Sequence, residues 1–532
     1  MNGNTNRQSA WLVLEAQARR IRKKSLAWQH GTASKIKVMK LPELEVDLSR
    51  QRLDEDTIDS LHILAEQSGF KKQRQALFTG APINNTEGRP ALHMALRQGV
   101  AENLTWKGQR IVPEVRKVLT QMEDFVTKLH TGRWYGHTGK PIREVVHIGI
   151  GGSHLGPMMV CRALQDYGTG RIFPRFVANI DSCALSDVIA GLNPDETLFF
   201  IASKSFTTRE MLLNASTARA WLLERGVPLE LLGRHFIAAT AYPERAVEFG
   251  VPPAHSLRVW DWVGGRFSLW SAIGLCIAVQ IGMPGFRRLL AGAQQADHHF
   301  QHAPITANIP LILALLDIWN FNFLQLNSHI ILPYSERLSL LPDYIQQLQM
   351  ESNGKHVTVT GERTSWRTSP VVWGGVGSSS QHSFHQLLHQ GHERIAIDFI
   401  LPLKEQGGYR EHHDWLVSFC LAQGATLMHG HNSQSGADRS VHRQTLGNQV
   451  STQILLSQLT PFSLGKLMAL YEHKMFCQGL LWNINPFDQF GVELGKVLGN
   501  DIYDCLHDGH DEKLDQITRR QLDLYRQHRF VP

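Results

Sequence analysis

The sequence predicts an α/β protein with two doubly wound parallel sheets, a helical lead-in and a helical C-terminal arm. Three observations carry this. Short continuous apolar runs, EVVHIGI (144–150), TLFFIA (197–202) and HFIAAT (235–240), alternate with segments of helical period, as strands buried on both faces and their crossover helices do. A second series, SHIILP (328–333), VVW (371–373) and IAIDFI (395–400), begins after a long helical stretch. The chain has 532 residues, which at roughly 100–200 residues per domain allows two to four domains.

Composition narrows the function classes. A hydrophobic content of 42% and a charged content of 19% are those of an ordinary globular protein. The formal charge of +6 favours anionic substrates without calling for nucleic acid. Six cysteines, at 161, 183, 276, 420, 477 and 505, show no CxxC pairing; neither a disulfide framework nor a zinc knuckle is expected, and the thiols read as reduced and mostly buried. The first 24 residues lack the order of a secretory signal. The longest apolar stretch, Ile309 to Leu326, is broken by Asp317, Asn320 and Asn322. The expectation is a cytoplasmic protein with no membrane span.

Ser9 to Lys24 has a helical pattern, with Trp11, Leu12, Leu14 and Ala18 on one apolar side. Its basic end, Arg19, Arg20, Arg22, Lys23 and Lys24, suits a helix C-terminus, where the dipole favours cations. The next hundred residues read as mostly helical. The strand at 144–150 then runs into Gly149, Gly151, Gly152 and Ser153, and a helix follows from His154 to Leu164. Strand, glycine turn and helix together suit an anion. The GxGxxG dinucleotide spacing is absent, and tight packing is the other reading of these glycines.

After TLFFIA, residues Ser203, Lys204, Ser205, Thr207 and Thr208 put four hydroxyls and an ammonium at the start of a helix, about Thr207 to Arg225. Thr207 and Glu210 have capping-box spacing. The remaining groups exceed what a cap needs and read as a phosphate cradle. In DWVGGRFSLW (261–270), Arg266 follows two glycines and precedes a helix read as Ser268 to Ile281. Its guanidinium is either aimed at a ligand or caps a turn.

The second series contains QLQMESNGKHV (347–357). Leu338 to Met350 reads as an amphipathic helix, with Leu338, Leu340, Leu341, Ile345 and Leu348 apolar, and Glu351 stands at its end before a Ser-Asn-Gly turn. A carboxylate on a rigid element facing a loop suits a general base. His382, His385 and His389 follow at i, i+3 and i+7, with His392 close behind. No acidic residue belongs to this set and HExxH is absent, so the expectation is one acid–base histidine and no metal. A helix from about His413 to Leu427 and a long one from Ser463 to Trp482 follow. Gln489, Glu493 and Lys496 stand at i, i+4 and i+7, read as one helix face, and the apolar neighbours of Lys496 suggest a partly buried ammonium. Residues 500–532 read as a polar, helical arm.

GIGGSHLGP, SKSFTT, DWVGGRFSLWSAIGL, MESNGK, QHSFHQLLHQG and FDQFGVELGK, in this order over about residues 144–498, resemble the signature segments of the glucose-6-phosphate isomerase family. The resemblance implies two unequal sugar-isomerase (SIS) domains: 107–279 as the small one, 1–106 with 280–490 as the large one, and 491–532 as the arm. It also implies a homodimer with shared active sites, a sugar-phosphate substrate and no cofactor. By resemblance, Ser203, Lys204, Ser205 and Thr208 hold the phosphate and Glu351 moves the proton between C2 and C1. Arg266 stabilises the enediolate, and His382 with Lys496 opens the ring, the histidine coming from the neighbouring subunit. Gly152, Ser153, Gln347 and Gln489 line the site.

Some positions depart from the family pattern. His154 stands for an aspartate, Met211 for a phosphate-holding threonine, Leu348 and Gln349 for a Gly-Asp pair, and Gly375 for an acidic residue; Ser378 to Ser380 also differ. None removes a catalytic group. Three rival readings compete: a non-catalytic sugar-phosphate sensor, an isomerase of another sugar such as mannose 6-phosphate, and a nucleic-acid binder. Retention of Glu351, Arg266, His382 and Lys496 argues against the first. The lack of aromatic–basic interleaving argues against the last.

Overall fold

The apolar runs form strands in two main sheets. The computed structural model describes residues 2–26, 38–431, 441–508, 511 and 513–529. In chain order the strands are β1 (Val38–Leu41), β2 (Leu44–Asp47), β3 (Thr105–Trp106), β4 (Gln109–Arg110), β5 (Glu144–Gly149), β6 (Arg175–Val177), β7 (Thr197–Ala202), β8 (Phe236–Thr240), β9 (Ser256–Arg258), β10 (Ser328–Pro333), β11 (Val371–Gly374), β12 (Ile395–Pro402) and β13 (Ser451–Leu456). The five-stranded sheet runs β6-β5-β7-β8-β9, parallel throughout. The six-stranded sheet runs β1-β2-β13-β12-β10-β11. Strands β10 to β13 are parallel, while β2 pairs antiparallel with β13 and β1 antiparallel with β2.

That antiparallel hairpin corrects the reading of residues 25–125 as mostly helical. VMKL and LEVD are four residues each and only half-buried or alternating, so they lack the continuous apolar signature of β7 or β12, which are buried along their whole length. The short strands β6 and β9 and the polar-fronted β13 were not expected from the sequence, for the same reason.

Register places the loops that matter. Strand β5 pairs with β7 from Glu144↔Thr197 to Gly149↔Ala202, so the turns after both strands leave the carboxyl edge at the same level. The chain goes from β5 to β6 on one side and returns to β7 on the other. This is a topological switch point, where open α/β sheets bind ligands.

The core is built on two long helices, Leu275–His302 and Pro461–Trp482. They meet backbone to backbone: a Cβ on Gly292 would lie 1.8 Å from Phe462 O, and one on Gly465 would lie 2.0 Å from Leu289 O. Any side chain there forces the helices apart. The first helix, taken from Ala272, is long and apolar enough to cross a bilayer by length and composition, but its most apolar window is 78% buried within the protein. It is a core helix, more membrane-like in sequence than the 309–326 stretch. Residues 268–281 are not one helix. Two 3₁₀ turns, Gly265–Trp270 and Ala272–Gly274, precede Leu275, separated by the extended Ser271.

The N-terminal helix Asn2–Ile21 ends where its basic cluster begins to find partners. Arg20 meets Asp54 at 2.7 Å, and Arg22 donates to Phe323 O. All six cysteines are free, and only Cys183 is exposed.

The chain divides into two compact units, one spanning 1–486, with both main sheets, and a second spanning 487–532. The second unit has helices Glu493–Asp508 and Gln516–Arg529, around a small core of Cys505, Leu514 and Leu522. Residues 509, 510, 512 and 530–532 of the expected arm lie outside the described residues. Two readings are corrected here. Gln489 precedes the helix, ahead of a 3₁₀ turn at Phe490–Val492, so it does not share a helical face with Glu493 and Lys496. Lys496 is exposed, as are Leu494, Val497 and Leu498 around it.

Candidate active site

The centre is the pair Arg266 and Glu351. Arg266 Nη1 lies 3.7 Å from Glu351 Oε1, with the arginine side chain 1% exposed and the glutamate 24%. Arg266 Nε donates to Ser352 Oγ at 2.6 Å and Nη2 to Pro486 O at 2.7 Å. The guanidinium is therefore held as a fixed fork, with its charge next to the carboxylate. Glu351 Oε2 is buried with no hydrogen-bond partner among the described residues. A buried carboxylate oxygen without a partner is costly in a purely structural residue, and it leaves a lone pair for a substrate.

Glu351 does not end an ordinary α-helix. The predicted segment 338–350 is a 3₁₀ turn at Glu336–Leu338, an α-helix at Leu341–Gln346 and a π-helical turn at Gln347–Glu351. The wider turn changes which faces residues 347–351 present, so helical periodicity could not locate them; such turns recur at functional sites. Leu348 and Gln349, two of the departures from the family pattern, are buried in it.

The glycine turn closes one side. A Cβ on Gly152 would sit 2.2 Å from Gly265 C and 2.4 Å from Arg266 N. Gly152 thus lets the β5 turn press against the backbone of the arginine. Gln347 Nε2 lies 3.3 Å from where a Cβ on the neighbouring Gly151 would be. Ser153 follows, its carbonyl bonded to His147 Nε2 at 2.7 Å. His154 is pushed down to about 4 by burial and by the neighbouring His147, so it is neutral near pH 7 where the family pattern has an aspartate.

The SKSFTT turn after β7 is ordered by its own polar groups. Ser203 Oγ accepts from Phe206 N at 3.1 Å, Thr207 Oγ1 donates to Ser205 Oγ at 2.9 Å, and Arg245 Nη1 donates to Ser205 O at 2.6 Å. The expected Thr207–Glu210 capping box does not form: Thr207 turns back to Ser205. The N-cap of helix Arg209–Glu224 is Thr208, whose side chain makes no capping bond. No side-chain cap closes the start of that helix, the kind of helix end at which an anion is favoured. Lys204 Nζ donates to Val263 O at 3.1 Å, three residues before Arg266. Burial, then repulsion from Arg89, pushes its ammonium down to about 8.

A buried ionic network braces the arginine turn from behind. Arg97 forks onto Asp297 (Nε–Oδ2 and Nη2–Oδ1, both 2.7 Å) and reaches Glu472 Oε2 at 2.5 Å. Glu472 Oε1 accepts from Trp270 Nε1 at 2.7 Å, and His93 stacks on Phe267 at 4.6 Å. The aromatic residues of DWVGGRFSLW thus anchor the turn while its arginine faces the glutamate. Asn353, just past Glu351, is tied by Nδ2 to Gln478 Oε1 and Met475 O, both at 3.1 Å. Sequence reading missed Ser352, Arg97, Asp297 and Glu472. The one available signal was YEHK (471–474), four consecutive polar residues inside a mostly apolar helix.

Among the described residues, His382 makes no hydrogen bond or ion pair with this group. It is exposed on a turn between helices Gly377–Ser380 and His385–Gln390, and among the described residues its ring makes no hydrogen bond, ion pair or ring contact. The i, i+3, i+7 spacing is therefore not one helical face. His385 is buried and His389 Nε2 bonds Gln423 Oε1 at 2.7 Å. No group of three or more His, Cys, Asp or Glu among the described residues has a metal-holding arrangement. Gln489 and Lys496 belong to the second unit.

Comparison with known proteins points to one family. The phosphoglucose isomerase family model matches residues 47–520. Glucose-6-phosphate isomerase of Shewanella baltica (strain OS223) is 43% identical over 535 residues, covering 98% of this chain and 98% of that protein. Glucose-6-phosphate isomerase of Hahella chejuensis is 44% identical over 499 residues, covering 91% and 90%. The crystal structure of a glucose-6-phosphate isomerase from Chlamydia trachomatis matches with a TM-score of 0.85 at 29% identity, covering 97% of this chain and 98% of that one.

Proposed function

Because the chain belongs to the phosphoglucose isomerase family, we propose how its residues divide the work of interconverting glucose 6-phosphate and fructose 6-phosphate. The observation that carries the assignment is the Arg266–Glu351 pair at 3.7 Å, with Glu351 Oε2 unpartnered. Glu351 takes the proton from C2 of the ring-opened aldose and returns it to C1. A carboxylate does both without moving. Arg266, already fixed by Ser352 and Pro486, stabilises the enediolate charge as it develops, where a preorganised cation contributes most. Ser203, Lys204, Ser205 and Thr208 receive the phosphate, with Gly152, Ser153, Gln347 and Gln489 lining the sugar.

Ring opening falls to Lys496 with His382 of the partner subunit, in a homodimer whose sites are shared. No metal enters this scheme, and the protein works in the cytoplasm in glycolysis and gluconeogenesis. We keep the division into a small domain, 107–279, around β5 to β9, and a large one, 1–106 with 280–490, around the six-stranded sheet. A coupled assay of fructose 6-phosphate conversion tests the reading directly. Full activity is expected in EDTA. Loss on chelation, restored by a divalent ion, would return His382, His385 and His389 to a metal role.

Phosphate recognition has its own test. Charge-assisted bonds contribute roughly 1.5–3 kcal/mol each, so Lys204→Ala and Thr208→Ala should each raise KM about tenfold or more. The Lys204 ammonium, pushed down to about 8, is cationic below that pH and neutral above it. In the unmodified enzyme kcat/KM should therefore fall as pH rises through about 8, and Lys204→Met should flatten that limb. A KM unchanged in both alanine variants would move the phosphate to the Gly151–Ser153 turn.

A further inference from the structure

Part of the N-terminal basic cluster is left unexplained by the catalytic reading. Arg19 and Arg20 face carboxylates: Glu15 at 3.9 Å and Asp54 at 2.7 Å. Arg22 does not. It lines a small cleft with Arg52, Arg394, Asn448, Leu324 and Leu326. Arg52 is buried and donates to Lys24 O at 2.9 Å and to Asn448 Oδ1 at 3.3 Å. Arg22 Nε is buried and has no hydrogen-bond partner among the described residues. Arg394 stands exposed at the mouth.

Three guanidiniums line this one cleft, and like charge from Arg394 acts on the other two. Arg394 depresses both Arg22 and Arg52, burial being the larger cause in each, and no carboxylate among the described residues offsets it. Glu393, the carboxylate nearest in sequence, is engaged by Asn327 Nδ2. Asn448 Oδ1 already accepts from Leu26 N at 2.7 Å as well as from Arg52, so its amide N–H₂ is the group left to donate.

Collecting like charges around a donor-rich cleft costs stability unless an anion fills it. Position in the fold separates this cleft from the catalytic centre. Arg394 immediately precedes β12 and Val450 immediately precedes β13, at the amino edge of the parallel strands. The segment carrying Glu351 follows the carboxyl end of β10.

We propose that the cleft bounded by Arg22, Arg52 and Arg394 is a second anion site, taking a phosphate group and tying the N-terminal helix to the amino edge of the large sheet. The cleft is partly open and its interior offers ≈ 10 Å³, about the least that admits one small polar atom. It receives one phosphate oxygen and leaves the rest of the group at the mouth beside Arg394. A sugar ring or a nucleic-acid backbone does not fit inside.

Equilibrium dialysis with labelled inorganic phosphate, at constant ionic strength, tests this on the whole protein. Two phosphates should bind per chain: one competitive with fructose 6-phosphate, one not. Arg394→Gln, at an exposed residue outside the catalytic set, should weaken the second by at least about tenfold. Isomerase activity and its competitive inhibition by phosphate should be unchanged. O-phosphoserine displacing the second phosphate at equal concentration assigns the cleft to phosphate esters; failure to displace it assigns the cleft to inorganic phosphate. A single, fully competitive phosphate in the unmodified protein, or two in Arg394→Gln with unaltered affinity, overturns the proposal. Crystals of the unmodified protein soaked in tungstate give an independent reading: an anomalous peak between the three arginines is expected, and its absence counts against the site.

Discussion

Glu351→Gln should abolish isomerisation while leaving ring opening intact. The two steps need different groups: one acts at the ring oxygen, the other above the C1–C2 bond. Glutamine has nearly the shape of glutamate but cannot accept a proton at neutral pH. Loss of a general base costs about 10²–10⁴-fold. The higher end is expected here, because within the described residues the side chain bordering Glu351 is an arginine, a permanent cation. Exchange of the C2 hydrogen with deuterated water should vanish with the isomerisation. Anomer interconversion of glucose 6-phosphate, followed by NMR on the same sample, should continue. Near-normal C2 exchange in Glu351→Gln would mean that another residue is the base, and the Arg266–Glu351 reading would fall.

The variant should also keep its fold. Glu351 Oε2 makes no hydrogen bond that an amide would forfeit, and the turn is held from elsewhere, through Asn353 to Gln478 and Met475. A melting temperature close to that of the unmodified protein is the check that lost exchange reflects chemistry.

How far the site was legible in the sequence depended on the range of the forces that build it. Strands β5, β7 and β12 were plain because burial on both faces leaves continuous apolar runs. SKSFTT and DWVGGRFSLW were plain because their unusual residues are adjacent in sequence. What stayed hidden was set by distant partners or by backbone shape. The bond from Arg266 to Ser352 spans 86 residues and that from Arg97 to Glu472 spans 375; neither has a local pattern. The π-helical turn at Gln347–Glu351 leaves a composition indistinguishable from an α-helix. The Thr207–Glu210 box had the right spacing, but the Ser205 hydroxyl, two residues away, captured the threonine.

Two inactive variants should restore each other's activity when their subunits exchange. His382 is exposed, its ring free of contacts among the described residues, while Arg266 and Glu351 are held together within the first unit. A side chain proposed for catalysis that makes no contact with the catalytic pair in its own chain is suited to a neighbour's site. The adjoining helix Arg410–His429 exposes Trp415 and Phe419, apolar surface of the kind that marks protein contacts. If His382 completes the partner's site, a dimer of one Glu351→Gln chain and one His382→Ala chain holds one site with both lesions and one with neither. Random exchange of equal amounts makes half the dimers mixed, so activity should return to about a quarter of the unmodified level. Against two parents reduced by about 10²-fold or more, that recovery is large and easily measured. Native mass spectrometry on the same mixture establishes that exchange has occurred. Mixed dimers present without recovered activity would place His382 in its own chain's site or outside catalysis altogether. Recovery that appears only under exchange conditions, and not on simple mixing, is the expected result.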